Sequence, residues 1–305
     1  MLLFQQMSIL FIFMILGFIC GRIKTLSDDS TKAISWLVVN IANPALILSS
    51  GVNNSGGIKG IELLEIFGLA VGIFVVLIVI SMLVPVILRV KHDDVGVYRV
   101  MLIFSNIGFM GFPLISAIYG SDALLYASLF LFPFNILIYT YGIMAMRKKE
   151  TSKKKIKFQI SKVLNIGVIS CIFSIAIYLS GIHMPVVVKS SVTYLSNLTA
   201  PLSMIVIGQS LIHIKFRELF TDIRLLAFSA IKLILIPVFG LLVLKLFIDD
   251  SIILGVCMVM LATPVGSMTA MLAQQYDGNY SLASKGVALT TVLSVGTIPL
   301  VSLIL

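Results

Sequence analysis

Apolar residues fall in blocks of about twenty along almost the whole chain, and polar residues are confined to short stretches between the blocks. A block of that length crosses a hydrocarbon core of roughly 30 Å as a helix. To within a few residues at each end, the pattern predicts helices over 3–21, 31–50, 61–88, 96–118 and 123–146. A second set follows over 163–180, 186–212, 222–247, 251–275 and 283–304. The one long polar connector, RKKETSKKKIKFQISK at 147–162, lies between the sets. The expected organisation is a five-helix unit over 1–146, a basic loop over 147–162 and a second five-helix unit over 163–305.

Lysine and arginine are distributed unevenly among the connectors. Odd-numbered connectors hold Arg22, Lys24 and Lys32, then Arg89, Lys91 and Arg99, then eight in the central loop, then Lys215, Arg217 and Arg224, and finally Lys285. Even-numbered connectors hold only Lys59, Lys189 and Lys245, and Lys232 falls inside a helix. Short cytoplasmic loops retain positive charge, so the central loop is expected in the cytoplasm and both termini outside. With five helices per half, the second half is then inverted relative to the first, an arrangement typical of carriers. A faint internal echo has the same register. Asn40 and Pro44 recur as Asn197 and Pro201, Pro85 as Pro237, Pro113 as Pro264, and Ala127-Ser128 as Ala283-Ser284.

Composition removes a soluble reading. The chain is 59% hydrophobic and 11% charged, with a mean hydropathy of +1.11, whereas soluble domains carry about 25% charged residues. The first block lacks a basic leader and a small-residue cleavage site, so it is read as a helix and not as a removable signal. The net charge of +9 is read as topology, because no basic stripe is interleaved with aromatics to engage nucleic acid. Three cysteines and three histidines are scattered without ligand spacing, so neither a metal site nor a cofactor is expected. Nothing matches a phosphate-cradling loop, a serine elbow or a metalloprotease helix. A membrane enzyme would also gather titratable groups near one face, and here they are dispersed.

The chemistry is expected at two interruptions. Helix 4 reads SNIGFMGFPLISAIYG, with Gly108, Gly111 and Pro113 close together, and Pro113 deprives the carbonyl of Phe109 of its usual partner. Helix 9 reads MLATPVGSMTAMLAQQY, where Pro264 does the same to Met260 and Gly266 loosens the next turn. Irregular backbone within a bilayer survives only where protein or a watery cavity satisfies it. A matched pair of breaks therefore points to a site near the midplane, where half-helix N-termini present N–H groups to an anion. Two ordinary proline kinks satisfied by Ser or Thr are the alternative.

Asn40, Asn43, Asn106, Asn135 and Asn197 lie within predicted spans, and a buried amide must be paired. Interhelical pairing is expected for Asn43. Asn106 and Asn135 are the leading substrate contacts, with Asn40, Asn197 and Thr263 as further candidates and Asn40 and Asn197 at the floor of the cavity. No Asp or Glu falls at mid-depth, which argues against a carboxylate proton relay or sodium site. Lys232 is either a counter-charge for an anion, a partner for a broken-helix carbonyl, or a side chain that snorkels to the cytoplasmic face.

The helix 4 run resembles the signature of the auxin efflux carrier family. ATPVGSMTAMLAQQYDGNYSLASKGVALTTVLSVGTIPL resembles the family's proline-broken helix, its tyrosine-containing exit and its terminal helix. NIANPALIL and APLSMIVIGQSL fall in the family's order, so the likeness spans essentially the whole chain. It implies an all-α membrane protein of ten spans, built as two inverted five-helix repeats, with helices 4 and 9 crossing at their prolines beside the substrate. Pro113, Pro264 and Asn106 match by motif, and Asn135 through the following Tyr139-Thr140. Bacterial members resemble malate and malonate permeases, and plant members export indole-acetate. The resemblance thus implies a secondary carrier for small carboxylates working by alternating access from a multi-pass inner-membrane location, with a homodimer possible. A sodium- or proton-coupled symporter of related architecture is the neighbouring alternative. Membrane potential, substrate exchange and protons are all compatible driving forces. The chain departs from plant members in its short basic central loop and in Pro264-Val265 where they carry Pro-Gln.

Overall fold

The computed structural model describes residues 2–53, 60–146, 164–182, 184–213 and 219–305. The basic loop at 147–162 lies outside the described residues, as do Lys59, Lys215 and Arg217. Among the described residues all regular structure is helical. Seven helices are long and apolar enough to cross a membrane. They are α1 (Leu2–Arg22), α2 (Asp28–Val52), α3 (Gly60–Ile87), α5 (Ala123–Met146), α7 (Val186–Ser210), α8 (Ile223–Leu244) and α10 (Tyr280–Ser302). Three shorter apolar helices are α4b (Ile107–Gly120), α6 (Ile166–Ser180) and α9a (Ser251–Ala262). Before α4b comes α4a (Val95–Ile103), and after α9a comes α9b (Met268–Gln275). The protein is a multi-pass membrane protein.

Polar residues near the predicted span ends act as helix caps. Asp222 accepts from the N–H groups of Arg224 (3.0 Å) and Leu225 (3.2 Å) at the start of α8. Asp250 does the same for Ile252 and Ile253 at α9a, and Asn279 caps α10 through Leu282 N–H at 3.1 Å. Each cap satisfies amides that the first helical turn leaves without partners. Gly120 separates α4b from α5 with φ +79 and ψ −165, a region that only glycine enters cheaply. The predicted gap between 118 and 123 is this one residue and its neighbours.

The helices form two packing groups, each drawing on both halves of the sequence. In one, α1 lies along the Thr199–Ser210 part of α7, while the second half of α2 lies against α6 and the first part of α7. Glycine allows the closest approaches here. Gly17 meets the backbone of Ile205, and Gly208 meets the backbone of Met14, as expected where small residues bring membrane helices together. In the other group α3 packs on α4a, α4b on α9a, α9b on α10, and α8 on α9a and α10. The groups meet where α2 and α6 touch α4b and where α7 touches the π turn Ile107–Gly111. Apolar side chains on the outside of α3 are exposed, with Val75 at 54% and Val86 at 74%, as suits a surface facing lipid.

Candidate functional site

Helices 4 and 9 are both interrupted, and the interruptions are in contact. Ser105 pairs with Val265 in antiparallel fashion. Asn106 N–H donates to Pro264 O at 2.7 Å, and Gly266 N–H donates to Phe104 O at 2.9 Å. Two short extended stretches thus satisfy each other's backbone where no helix can, as irregular chain within a membrane requires. Each half-helix packs beside the opposite half of its partner, α4a on α9b and α4b on α9a.

The position of the first break corrects the expectation from proline. The chain leaves the helix at Phe104 (φ −100, ψ 93) and Asn106 (φ −80, ψ 64), well before Pro113. Ile107 N–H returns to Ser105 O at 2.9 Å, closing a tight turn centred on Asn106. Gly108 and Gly111 lie in the π turn that follows. Pro113 lies in the first turn of the helical segment beginning at Phe112, where its missing N–H costs little. What interrupts the helix is pairing with another segment. In helix 9 the break is at the proline itself. Pro264 stands between Thr263 (φ −63, ψ 146) and Gly266, and Met260 O accepts from Thr263 Oγ1 at 3.3 Å. The Met260 carbonyl is satisfied by a threonine, as the kink alternative expected, but the paired, extended backbone at both breaks is not that of two simple kinks.

Asn106 is buried, and its side chain holds the turn by accepting from Phe109 N–H at 3.3 Å. Thr263 is fully buried at the other strand of the crossing. Val265 N–H donates to Thr290 Oγ1 of α10 at 3.1 Å, and Thr290 in turn donates to Gly286 O at 2.7 Å. Lys232 is on the π turn Ile231–Leu235 of α8 and has 0% exposure, so it does not snorkel. Its ammonium donates to Ser105 Oγ at 2.6 Å and to Leu261 O at 3.4 Å. Ser105 and Thr290 are not legible in the sequence as site residues, because both are unremarkable hydroxyls whose partners lie far along the chain.

The remaining asparagines separate. Asn40 is half-buried on the π turn Val38–Ala42 and turns back onto Trp36 O at 2.9 Å, while Asn197 is exposed on α7. Asn135 is buried on α5. It donates to Leu131 O at 2.8 Å and accepts from Asn165 Nδ2 at 2.5 Å, and Asn165 also caps α6. The asparagine of α2 beside the break is Asn43, whose Nδ2 is 3.5 Å from where a Cβ on Gly108 would stand. The pairing expected for it is not found: Asn43 Oδ1 is buried and makes no hydrogen bond. Thr199 Oγ1 and Ser203 Oγ on α7 are also buried without hydrogen bonds. They are one helical turn apart and on a different side of α7 from Ile205 and Gly208, which face α1. The segment that carries them packs on the π turn Ile107–Gly111. Three polar groups without protein partners thus belong to the elements that face the first break from the other packing group. Leaving such groups unsatisfied costs a few kcal/mol each, so water or a polar ligand between the two groups would be stabilised there.

The model of a family described as membrane transport protein matches residues 2–302. A protein of Methanocaldococcus jannaschii described as an uncharacterized transporter is 24% identical, with 96% of this chain and 95% of the relative aligned. An uncharacterized transporter of Methanothermobacter thermautotrophicus is 22% identical over the same shares of each chain. The broken, crossed helices and a family match across nearly every residue lead to one conclusion: the chain belongs to the membrane transport protein family, that of the auxin efflux carriers.

Proposed function

We infer that the protein is a secondary carrier for small organic anions, carboxylates such as malate, malonate or auxin-like acids, working by alternating access. The observation that carries this reading is the backbone pairing of 104–106 with 264–266, which holds two half-helix starts together beside two hydroxyls and an amide oxygen that have no protein partner. Helix N-termini favour a carboxylate through their N–H groups and dipoles. Asn106, Asn43, Thr199 and Ser203 can supply neutral donors around it, whereas the Thr263 hydroxyl already donates to Met260 O, and Asn135 lies where α5 meets α6.

In this reading the seven long helices, α6 and the two broken helices make ten crossings, arranged as two inverted halves with both termini outside and the central basic loop in the cytoplasm. The group containing α1, α2, α6 and α7 is the scaffold. The group containing the crossing moves against it and exposes the site to one side at a time. The absence of a carboxylate from the crossing among the described residues favours an anion substrate over a carboxylate-bound coupling ion.

The test is flux of labelled malate, malonate and indole-acetate into proteoliposomes. At least one should saturate with concentration, and Asn106→Ala should reduce its flux by about tenfold or more, the loss expected for one buried hydrogen bond to a charged group. Unsaturable flux for all three, or a wild-type rate in Asn106→Ala, contradicts the assignment.

A further inference from the structure

Two helix C-termini converge at the crossing. α4a ends at Ile103 and α9a at Ala262, and each leaves last-turn carbonyls that its own helix cannot satisfy. The negative ends of both helix dipoles therefore point to the same place. The Nζ of Lys232 stands there. It donates to Ser105 Oγ, two residues beyond α4a, and to Leu261 O in the last turn of α9a. No carboxylate among the described residues is shown paired with it, and the pairs of Lys32 with Asp29 and of His92 with Asp93 are exposed. The small void at the crossing is lined by apolar side chains including Phe74, Leu77, Phe130 and Phe134, with Ser105 as its polar wall.

A buried ammonium among apolar groups is stable only where the surrounding dipoles are negative enough to replace its hydration. Its counterpart in the first half shows no such group. Lys232 is five residues before Pro237 in α8, and the position five before Pro85 in α3 is Ile80. The cation is thus a specific feature of one half, placed by the π turn Ile231–Leu235, and not a general property of the repeat.

We propose that Lys232 is a resident cation of the crossing, doing with a covalently held charge what a bound alkali-metal ion does in a cation-coupled carrier, so that this protein needs no sodium. Its functional consequence rests on the carrier reading; its structural consequence does not. α8 packs on α9a and α10, so the charge belongs to the same group as the breaks. A monovalent carboxylate then crosses with its charge already balanced, and the empty carrier returns bearing one positive charge. Lys232 is a positioning residue, acting on the substrate through the two helix ends it holds.

The experiment is a melting series on the purified protein in sodium, potassium, choline and methylammonium chloride at equal ionic strength, paired with carboxylate flux. Wild type should melt at one temperature in all four salts. Lys232→Ala should melt lower and recover at least half of the loss in methylammonium, which returns an ammonium to the vacated space, but not in choline. Lys232→Met, which fills the space without charge, should stay low in every salt. A melting temperature of wild type that rises specifically with sodium overturns the proposal. So does a Lys232→Met as stable as wild type, or a Lys232→Ala indifferent to methylammonium. Where Lys232→Ala does not purify, Lys232→Gln keeps a donor without the charge and must melt below wild type; equal melting overturns the proposal. In liposomes, wild-type flux should be equal in sodium and choline. A sodium requirement there rejects the resident cation and leaves the carrier reading standing. If none of the three carboxylates moves, the carrier reading fails, and the melting series still decides the role of Lys232.

Discussion

A Cβ added at Gly266 would stand 3.0 Å from the carbonyl oxygen of Ser105 and 3.2 Å from that of Phe104. Those atoms are backbone, and Phe104 O is already held by Gly266 N–H, so the neighbours cannot turn aside as a side chain would. Gly266→Ala should therefore cost about 1–3 kcal/mol, the range for overpacking a tight contact. Gly68 in α3 has open space around its missing side chain, and Gly68→Ala should stay within about 0.5 kcal/mol of wild type. Unfolding in detergent compares the two, and equal effects would remove the claim that Gly266 is needed for the crossing. Gly266, Pro264 and Asn106 were legible in the sequence because glycine, proline and buried amides are conspicuous in an apolar run. Ser105 and Thr290 were not. Their bonds to Lys232 and Val265 span 127 and 25 positions, and no local pattern marks a hydroxyl whose partner is that distant. Lys232 was conspicuous as a charge, yet only its surroundings separate a held cation from a snorkelling one.

At the scale of elements, helix ends followed the expected pattern because caps are local chemistry, whereas the first break did not. Proline marks where a helix is weakened, but the chain opens at 104–106 because the partner stretch at 264–266 offers N–H and C=O groups there. The partner belongs to the other half of the sequence, so the shift from Pro113 could not be read from helix 4 alone. The start of α6 makes a further case. Asn165 Oδ1 accepts from Val168 N–H at 3.1 Å while its Nδ2 donates to Asn135 Oδ1, so one side chain caps α6 and ties it to α5. Asn165→Ala should lose the cap, about 0.5–2 kcal/mol, and leave Asn135 Oδ1 without its donor as well. Asn165→Asp keeps the cap acceptor and loses only the donor. A double-mutant cycle with Asn135→Ala, measured by chemical unfolding, should give a coupling of about 0.5–3 kcal/mol. Simple additivity of the two substitutions would show that the amides do not communicate.

Over the whole molecule, the sequence anticipated an all-helical membrane protein, since blocks of apolar residues record the thickness of the solvent they cross. Apart from the resemblance, which implied that helices 4 and 9 cross, it was silent on which helices pack together. The two groups, α1, α2, α6 and α7 against the rest, cut across the two halves of the chain, and such a partition depends on contacts between distant segments. The boundary between the groups is where Asn43, Thr199 and Ser203 keep polar atoms without partners. In the carrier reading that boundary is the passage, closed at one end or the other. With Lys232 moving as a fixed charge, each 100 mV of membrane potential acts on the returning empty carrier by up to about 2.3 kcal/mol.

The most direct test places a single cysteine on that boundary. With Cys20, Cys171 and Cys257 replaced by alanine, Ser203→Cys in sealed proteoliposomes is treated with a membrane-impermeant thiol reagent from each side in turn. The account predicts labelling from both sides across the population, slowed by a saturating concentration of whichever carboxylate is transported. Labelling from one side alone whatever the conditions, or labelling that no transported carboxylate slows, would contradict a substrate site that opens alternately beside the crossed helices.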